Sequence, residues 1–213
     1  MSSVITGPTL TTEPQSGHSV PYHIRHMEPH DISAVMALDR LAFSDPWPES
    51  AYVQEIYFNP LARYFVLELL PSQPHWRWPW KPRTSNLIGF VGMRVEQTRG
   101  HISTLAIHPD WRGLGFGELL LVTALQQAVK MKAIAVMLEV RPSNSTAQNL
   151  YAKYHFLPIG RHVHYYQDGE DALLLEVPQL DASYVQQLTQ RQQQLESRIR
   201  ERLTQAQASF TSP

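Results

Sequence analysis

The sequence contains no cysteine. That excludes disulfides, thiolate metal ligands, iron–sulfur clusters and a cysteine nucleophile, so any group transfer must proceed without protein sulfur. Cytoplasm is the compartment such a composition predicts. Long apolar runs are missing too: none approaches the ~18 residues that a membrane-spanning helix needs. The first 20 residues are polar, rich in Ser and Thr, and lack the apolar stretch of a secretory signal. A disordered tail is expected over residues 1–20. Nor is there an excess of one charge. Eighteen Lys and Arg against 19 Asp and Glu leave a net charge of −1, which gives no footprint for nucleic acid. Neither nucleic acid nor membrane is expected as a partner.

What is present is an ordinary globular composition, with 43% hydrophobic and 17% charged residues over 213 positions. One domain is expected over residues 21–178, interrupted by a Trp- and Pro-rich insertion at 71–86 that carries Trp76, Trp78 and Trp80. A Gln- and Arg-rich helical extension over 179–213 follows; its stripe of Leu188, Leu195, Ile199 and Leu203 is sparse and reads as a solvated helix. Strands are expected at Tyr22–Arg25, Tyr64–Leu70, Leu87–Val95, His101–Ile107, Ala133–Val140, Pro158–Val163 and Ala172–Val177. Helices are expected from Ile32, with Asp31 as N-cap, after Pro48, over Gly117–Lys130 and over Ser145–Tyr154. The apolar run Ala133–Val140 reads as a strand buried on both faces. With the helix before it, it makes a βαβ unit whose strands run parallel. The class is α/β with a mixed sheet flanked by helices.

Between strand and helix lies Arg112-Gly113-Leu114-Gly115-Phe116-Gly117. Glycines there permit positive φ and close approach of a ligand, and free N–H groups at a helix start favour a phosphate. A Walker loop would need Gly-Lys-Ser/Thr, whereas Glu118 and Leu119 follow Gly117. A dinucleotide fingerprint is a rival reading, since Glu139 lies near the distance of its acidic residue. Against it, the third glycine comes one position early, and His108–Arg112 separate the strand from the glycines.

The Arg-x-x-Gly-x-Gly pattern after a strand ending His108-Pro109-Asp110-Trp111 resembles the pyrophosphate loop of the GNAT acetyltransferases. Leu138 through Asn144 (LEVRPSN), then Ala147, Leu150, Tyr151 and Phe156, are similar to the signature of the ribosomal-protein alanine N-acetyltransferases. Tyr165-Tyr166 and Asp171-Ala172 also fall where that family has similar residues. The resemblance implies a single GNAT-type domain, acetyl-CoA as acetyl donor, a protein or peptide N-terminal α-amine as acceptor, and no metal. It implies that Glu139 is a general base and Tyr151 the general acid for the departing thiolate. It further implies that the backbone of Leu105, Ala106 and Ile107 lines the pantetheine arm. Arg112, Gly113, Leu114, Gly115, Phe116, Gly117 and Glu118 would hold the pyrophosphate, and Asn144 would bond the CoA chain.

Taken by themselves, these residues admit other readings. A structural pairing of Glu139 with Arg141 competes with a use in chemistry, and a tyrosine at helical spacing such as Tyr151 often belongs to a core. Other acceptors, a lysine side chain or a small amine, and a non-catalytic acyl-CoA sensor remain open. His162 and His164, two apart, face the same way as a metal pair would, with no third ligand near in sequence. One departure from the family pattern is His155 before Phe156, where a glycine is usual; a left-handed residue there would carry a cost.

Overall fold

A computed structural model describes residues 22–70 and 86–211, with side chains to residue 205. The expectations for residues 1–20 and for the Trp-rich segment up to residue 85 lie outside the described residues. The strands are β1 (Tyr22–His26), β2 (Ala62–Leu69), β3 (Leu87–Glu96), β4 (Arg99–Ile107), β5 (Ala135–Val140), β6 (Leu157–His162) and β7 (Ala172–Val177). They form one sheet in the order β1-β2-β3-β4-β5-β7-β6. All neighbours are antiparallel except β4 and β5, whose connection carries the long helix α3 (Phe116–Lys130). This is the mixed α/β sheet and the βαβ unit that the alternation of apolar runs and amphipathic segments predicts.

The other helices are α1 (Ile32–Ala42), α2 (Glu49–Val53), which continues into a π-helical turn at Gln54–Phe58, α4 (Ser145–Lys153) and α5 (Ala182–Thr211). Asp31 stands at the N-cap of α1 but does not cap it with its side chain. Instead its carboxylate accepts the Glu28 N–H at 2.8 Å and two bonds from the Arg25 guanidinium, tying β1 to the 3₁₀ turn before α1. The sheet buries two apolar clusters, one on each face. On one face α1 and α2 pack Val35, Leu38 and Tyr52 against Val66, Phe90 and Ala106. On the other, α3 places Leu120, Leu121 and Leu125 against Val91, Ile102 and Leu138.

The expectation of a solvated C-terminal helix is wrong. Leu188, Leu195, Ile199 and Leu203 are at most 2% exposed, and α5 lies on α3 with its apolar stripe inside the larger cluster. The stripe looks sparse because polar side chains also hold α5 in place: Gln126 of α3 bonds Gln192, and Arg191 reaches the carbonyl of Lys153 at the end of α4. With the sheet on one side and α5 on the other, α3 is apolar almost all round, burying Leu119, Leu120, Leu121 and Val122 in succession.

Two irregularities shape the middle of the sheet. Opposite β3, Gly92 pairs Thr104 while the next residue, Met93, pairs Ile102, so Ser103 is an extra residue in β4. The parallel pairing of β4 with β5 ends at Ile102↔Leu138. Beyond it β5 stays bonded to β7 through Glu139 and Val140, and β4 stays bonded to β3 through Ile107. The two strands therefore part, leaving the Ser103–Ile107 edge of β4 without a strand partner on that side, among the described residues.

Candidate active site

The gap between the parted strands opens into a cavity of about 490 Å³. Its walls include Leu105, Ala106 and Ile107 of β4, then Arg112, and Asn144, Ala147 and Leu150 around the start of α4. Sequence reasoning singled out the first four and Asn144 as ligand-facing, and they converge here. Asn144 has a structural duty as well: its side-chain oxygen accepts the Ala147 N–H at 3.1 Å and so caps α4.

Next to this cavity, residues 112–118 turn from β4 into α3. Gly113 has φ +79° and Gly115 φ +103°, conformations that an L side chain resists. Gly115 is the N-cap of α3, so the loop ends on the free N–H groups of a 15-residue helix, with no side-chain cap on them. Arg112 bonds the Ile107 carbonyl through Nε at 3.2 Å, closing the turn onto β4. Glu118, in the first turn, bonds the Tyr154 hydroxyl at 3.0 Å and pairs with Lys153 and Arg198 at 3.5 Å each. Its carboxylate is thereby committed to α4 and α5, while its backbone remains part of the helix start.

Glu139 does not line this cavity. It projects from β5 into a second depression of about 510 Å³, with His101, Met137 and Arg94, and its charge is felt at Tyr166, which lines the first cavity. Its partner is His101 rather than Arg141: Nε2 of His101 lies 2.6 Å from its carboxylate. Burial pushes the Glu139 carboxyl up. The hydrogen bond and charge of His101 outweigh that, with help from its own backbone and His162, and hold it below the usual value of 4.5. Glu139 is therefore ionised near neutrality.

Arg141, just past the end of β5, organises the cavity mouth. Its guanidinium bonds Asp168 and Glu170 at 2.8 Å each, reaches Ser44 at 3.3 Å, and stacks 3.7 Å from the centre of the Tyr166 ring. One side chain thus ties the β6–β7 connection to the α1–α2 loop. That loop is itself anchored where Asp39 accepts the Trp47 N–H at 2.7 Å. Tyr166 lines the cavity, and burial raises its hydroxyl pKa to about 12.

Tyr151 is buried in α4 and lines neither depression. Burial first, then the neighbouring Tyr166, raises its pKa to about 12, so the phenol keeps its proton throughout the neutral range. Its carbonyl accepts the Phe156 N–H at 3.2 Å, its ring lies 5.6 Å from the Phe156 ring, and His155 N–H bonds the Ala152 carbonyl at 3.1 Å. This is a Schellman end with His155 at its left-handed position, φ +60°. The cost expected at His155 is present, and the motif sets where Tyr151 sits. Of the histidine pair, His162 stacks on Tyr165 and His164 bonds the Gly169 carbonyl, so each has another use.

Sequence reasoning missed His101, Arg141 as organiser of the mouth, and the Phe43–Asp45 wall. Arg141 was legible only as a motif member; His101 is 38 residues from Glu139 and carries no local signal.

The region of residues 32–156 matches the family model described as the acetyltransferase (GNAT) family. A Bacillus subtilis protein provisionally named ribosomal protein bS18-alanine N-acetyltransferase is 33% identical over 155 residues, covering 72% of this chain and 93% of its own. An N-alpha-acetyltransferase of Sulfurisphaera tokodaii is 29% identical over 170 residues, covering 74% and 93%. In architecture, the solved ribosomal-protein-S18-alanine N-acetyltransferase of Escherichia coli superposes with a TM-score of 0.62 at 24% identity, covering 76% of this chain and 96% of its own. A family model spanning more than half the chain, on a sheet whose central strands part beside a glycine loop, leaves one assignment: the chain belongs to the GNAT acetyltransferase family.

Proposed function

We propose that the chain transfers the acetyl group of acetyl-CoA to the free N-terminal α-amine of a protein, with a ribosomal protein the leading candidate, in the cytoplasm. The catalytic unit in this reading spans residues 21–178. The observation that carries it is the parting of β4 and β5 beyond Ile102↔Leu138, which opens a cavity between the Leu105–Ile107 edge and Asn144. An acyl-pantetheine arm offers the amides and carbonyls that this edge needs. The left-handed glycines and the uncapped start of α3 suit a diphosphate. The acceptor class is supported by the names of the relatives from Bacillus and Sulfurisphaera.

In this mechanism the neutral α-amine attacks the thioester carbonyl carbon and forms a C–N bond. A free α-amine has a pKa of about 7.7–8.0, so an appreciable fraction is neutral near pH 7. Glu139, kept ionised by His101, accepts the ammonium proton through a water. The tetrahedral intermediate then collapses, the C–S bond breaks, and the thiolate takes a proton from Tyr151. Burial raises the pKa of the phenol and of the departing thiol alike, so it moves donor and acceptor in the same direction.

The test is acetyl transfer from acetyl-CoA, followed by mass spectrometry, to peptides with free Ala, Ser, Met or Gly N-termini, an N-blocked peptide containing Lys, and polyamines. Transfer to the free N-termini alone supports the proposal. Transfer to the blocked peptide or to polyamines replaces the acceptor class. Acetyl-CoA binding without transfer to any peptide or to folded ribosomal proteins would leave a sensor in place of an enzyme.

A further inference from the structure

The glycine loop is held from outside the family-matched region. Helix α5 begins 26 residues after that region ends, yet it touches the loop at three points. Arg202 donates through Nη1 to the carbonyl oxygen of Gly113 at 2.9 Å. A methyl group on Gly115 would sit 3.0 Å from Cγ1 of Ile199 and 3.3 Å from Cδ1 of Leu195, so the backbone there rests directly on α5. Arg198 adds a contact to Glu118 one turn into α3. Ile199 and Leu203 are fully buried and Leu195 nearly so, which makes this face of α5 a fixed surface.

A loop with two left-handed glycines is flexible by nature, and a flexible anion cradle loses affinity to the cost of ordering its N–H groups. Arg202 acts on that cost. In a trans peptide the C=O of one residue and the N–H of the next point in opposite directions, and the described chain has no cis peptide. Binding the Gly113 carbonyl to α5 therefore directs the Leu114 N–H away from α5. The guanidinium also brings a positive charge to the loop. We infer that α5 is a working part of the acetyl-CoA site, with Arg202 a positioning residue that sets the glycine loop for the donor's diphosphate. This rests on the proposed use of acetyl-CoA. It also implies reciprocity: the ligand that prefers the ordered loop must in turn stabilise α5.

The experiment uses the full-length chain, its Arg202→Gln and Arg202→Lys variants, and two donors, acetyl-CoA and S-acetyl-pantetheine, which lacks the diphosphate. Arg202→Gln is expected to weaken acetyl-CoA binding in calorimetry, and raise its KM, about tenfold. The kcat at saturation and turnover of S-acetyl-pantetheine should stay within twofold, and Arg202→Lys should recover part of the loss. Wild-type acetyl-CoA affinity in Arg202→Gln overturns the inference, as does an equal loss with both donors, which would mark a general structural defect. Should the Gln variant fail to fold, hydrogen exchange of the wild-type chain decides. Slower exchange of residues 195–203 on adding acetyl-CoA supports the inference, and unchanged exchange refutes it. Failure of the wild-type chain to bind acetyl-CoA at all would overturn the functional reading itself.

Discussion

Replacing Gly113 and Gly115 separately by alanine divides backbone strain from steric contact. Both residues have positive φ, +79° and +103°. Forcing an alanine into such a conformation costs about 1–2 kcal/mol, and the stiffer unfolded chain returns about 0.4–1 kcal/mol. Around Gly113 nothing lies within 4 Å of an added Cβ, so Gly113→Ala should lose only the difference, about 1 kcal/mol. Around Gly115 the methyl would press on Ile199 at 3.0 Å and Leu195 at 3.3 Å, both buried. Overpacking of that kind adds about 1–3 kcal/mol. For a chain of this size each kcal/mol moves Tm by about 2–4 °C. Thermal unfolding without ligand should therefore show Gly113→Ala lower by about 2–4 °C and Gly115→Ala lower by roughly 4–16 °C. Adding Ile199→Ala should relieve part of the second loss, a non-additivity of 0.5 kcal/mol or more. Equal Tm losses in the two glycine variants, or strict additivity with Ile199→Ala, would refute the packing of α5 on the loop.

Glu139→Gln should lower kcat about 10²-fold while acetyl-CoA affinity measured by calorimetry stays within twofold; parallel losses would assign the carboxylate a structural role. Tyr151→Phe should lower kcat at least tenfold with little change in Tm, and undiminished turnover would remove the phenol from the mechanism. His101→Phe removes the main group that holds the Glu139 carboxyl below its usual value, leaving burial opposed only by its own backbone and His162. The acid limb of the kcat/KM profile, present while Glu139 is ionised, should then move to higher pH; an unmoved limb would separate Glu139 from the pH dependence. His155→Gly relieves the left-handed strain of about 1–2 kcal/mol and gives back about 0.4–1 kcal/mol in chain entropy. Its Tm should rise by a few degrees, and a fall would mean that the ring contact of His155 with Tyr184 dominates.

The strand Ala135–Val140 was readable from its nearly unbroken apolar run, but only its Val136, Leu138 and Val140 face is fully buried, since Met137 and Glu139 are half-buried and line a depression. The glycine loop was readable where φ > 0 demands glycine. Helix α5 was misread for a physical reason. Part of what it covers is the glycine backbone at residues 113–115, which lays down no matching apolar signal, and its polar Arg191 and Gln192 interrupt the stripe between Leu188 and Leu195. The Glu139–His101 pair was hidden because parallel strand pairing brings together residues far apart in sequence. The Glu139–Arg141 pairing weighed from sequence failed because Arg141 lies beyond the strand, where the β6–β7 connection supplies two nearer carboxylates.

The extra residue at Ser103 gives β4 two phases. Before it, Gly100 and Ile102 face α3; after it, Leu105 and Ile107 do, so the inward-facing positions pass from even to odd numbers. Ala106 thereby joins the α1–α2 side, the face that His101 occupies in the earlier half. Deleting Ser103 would accordingly do more than shorten the strand. It would exchange the two faces of the Leu105–Ile107 edge, sending two bulky side chains towards α1 and bringing Ala106 beneath α3. Natural variation in chain length should be tolerated at the Gln97–Thr98 turn and strongly selected against between Ile102 and Thr104, because there a single residue sets which atoms of the strand the cavity presents.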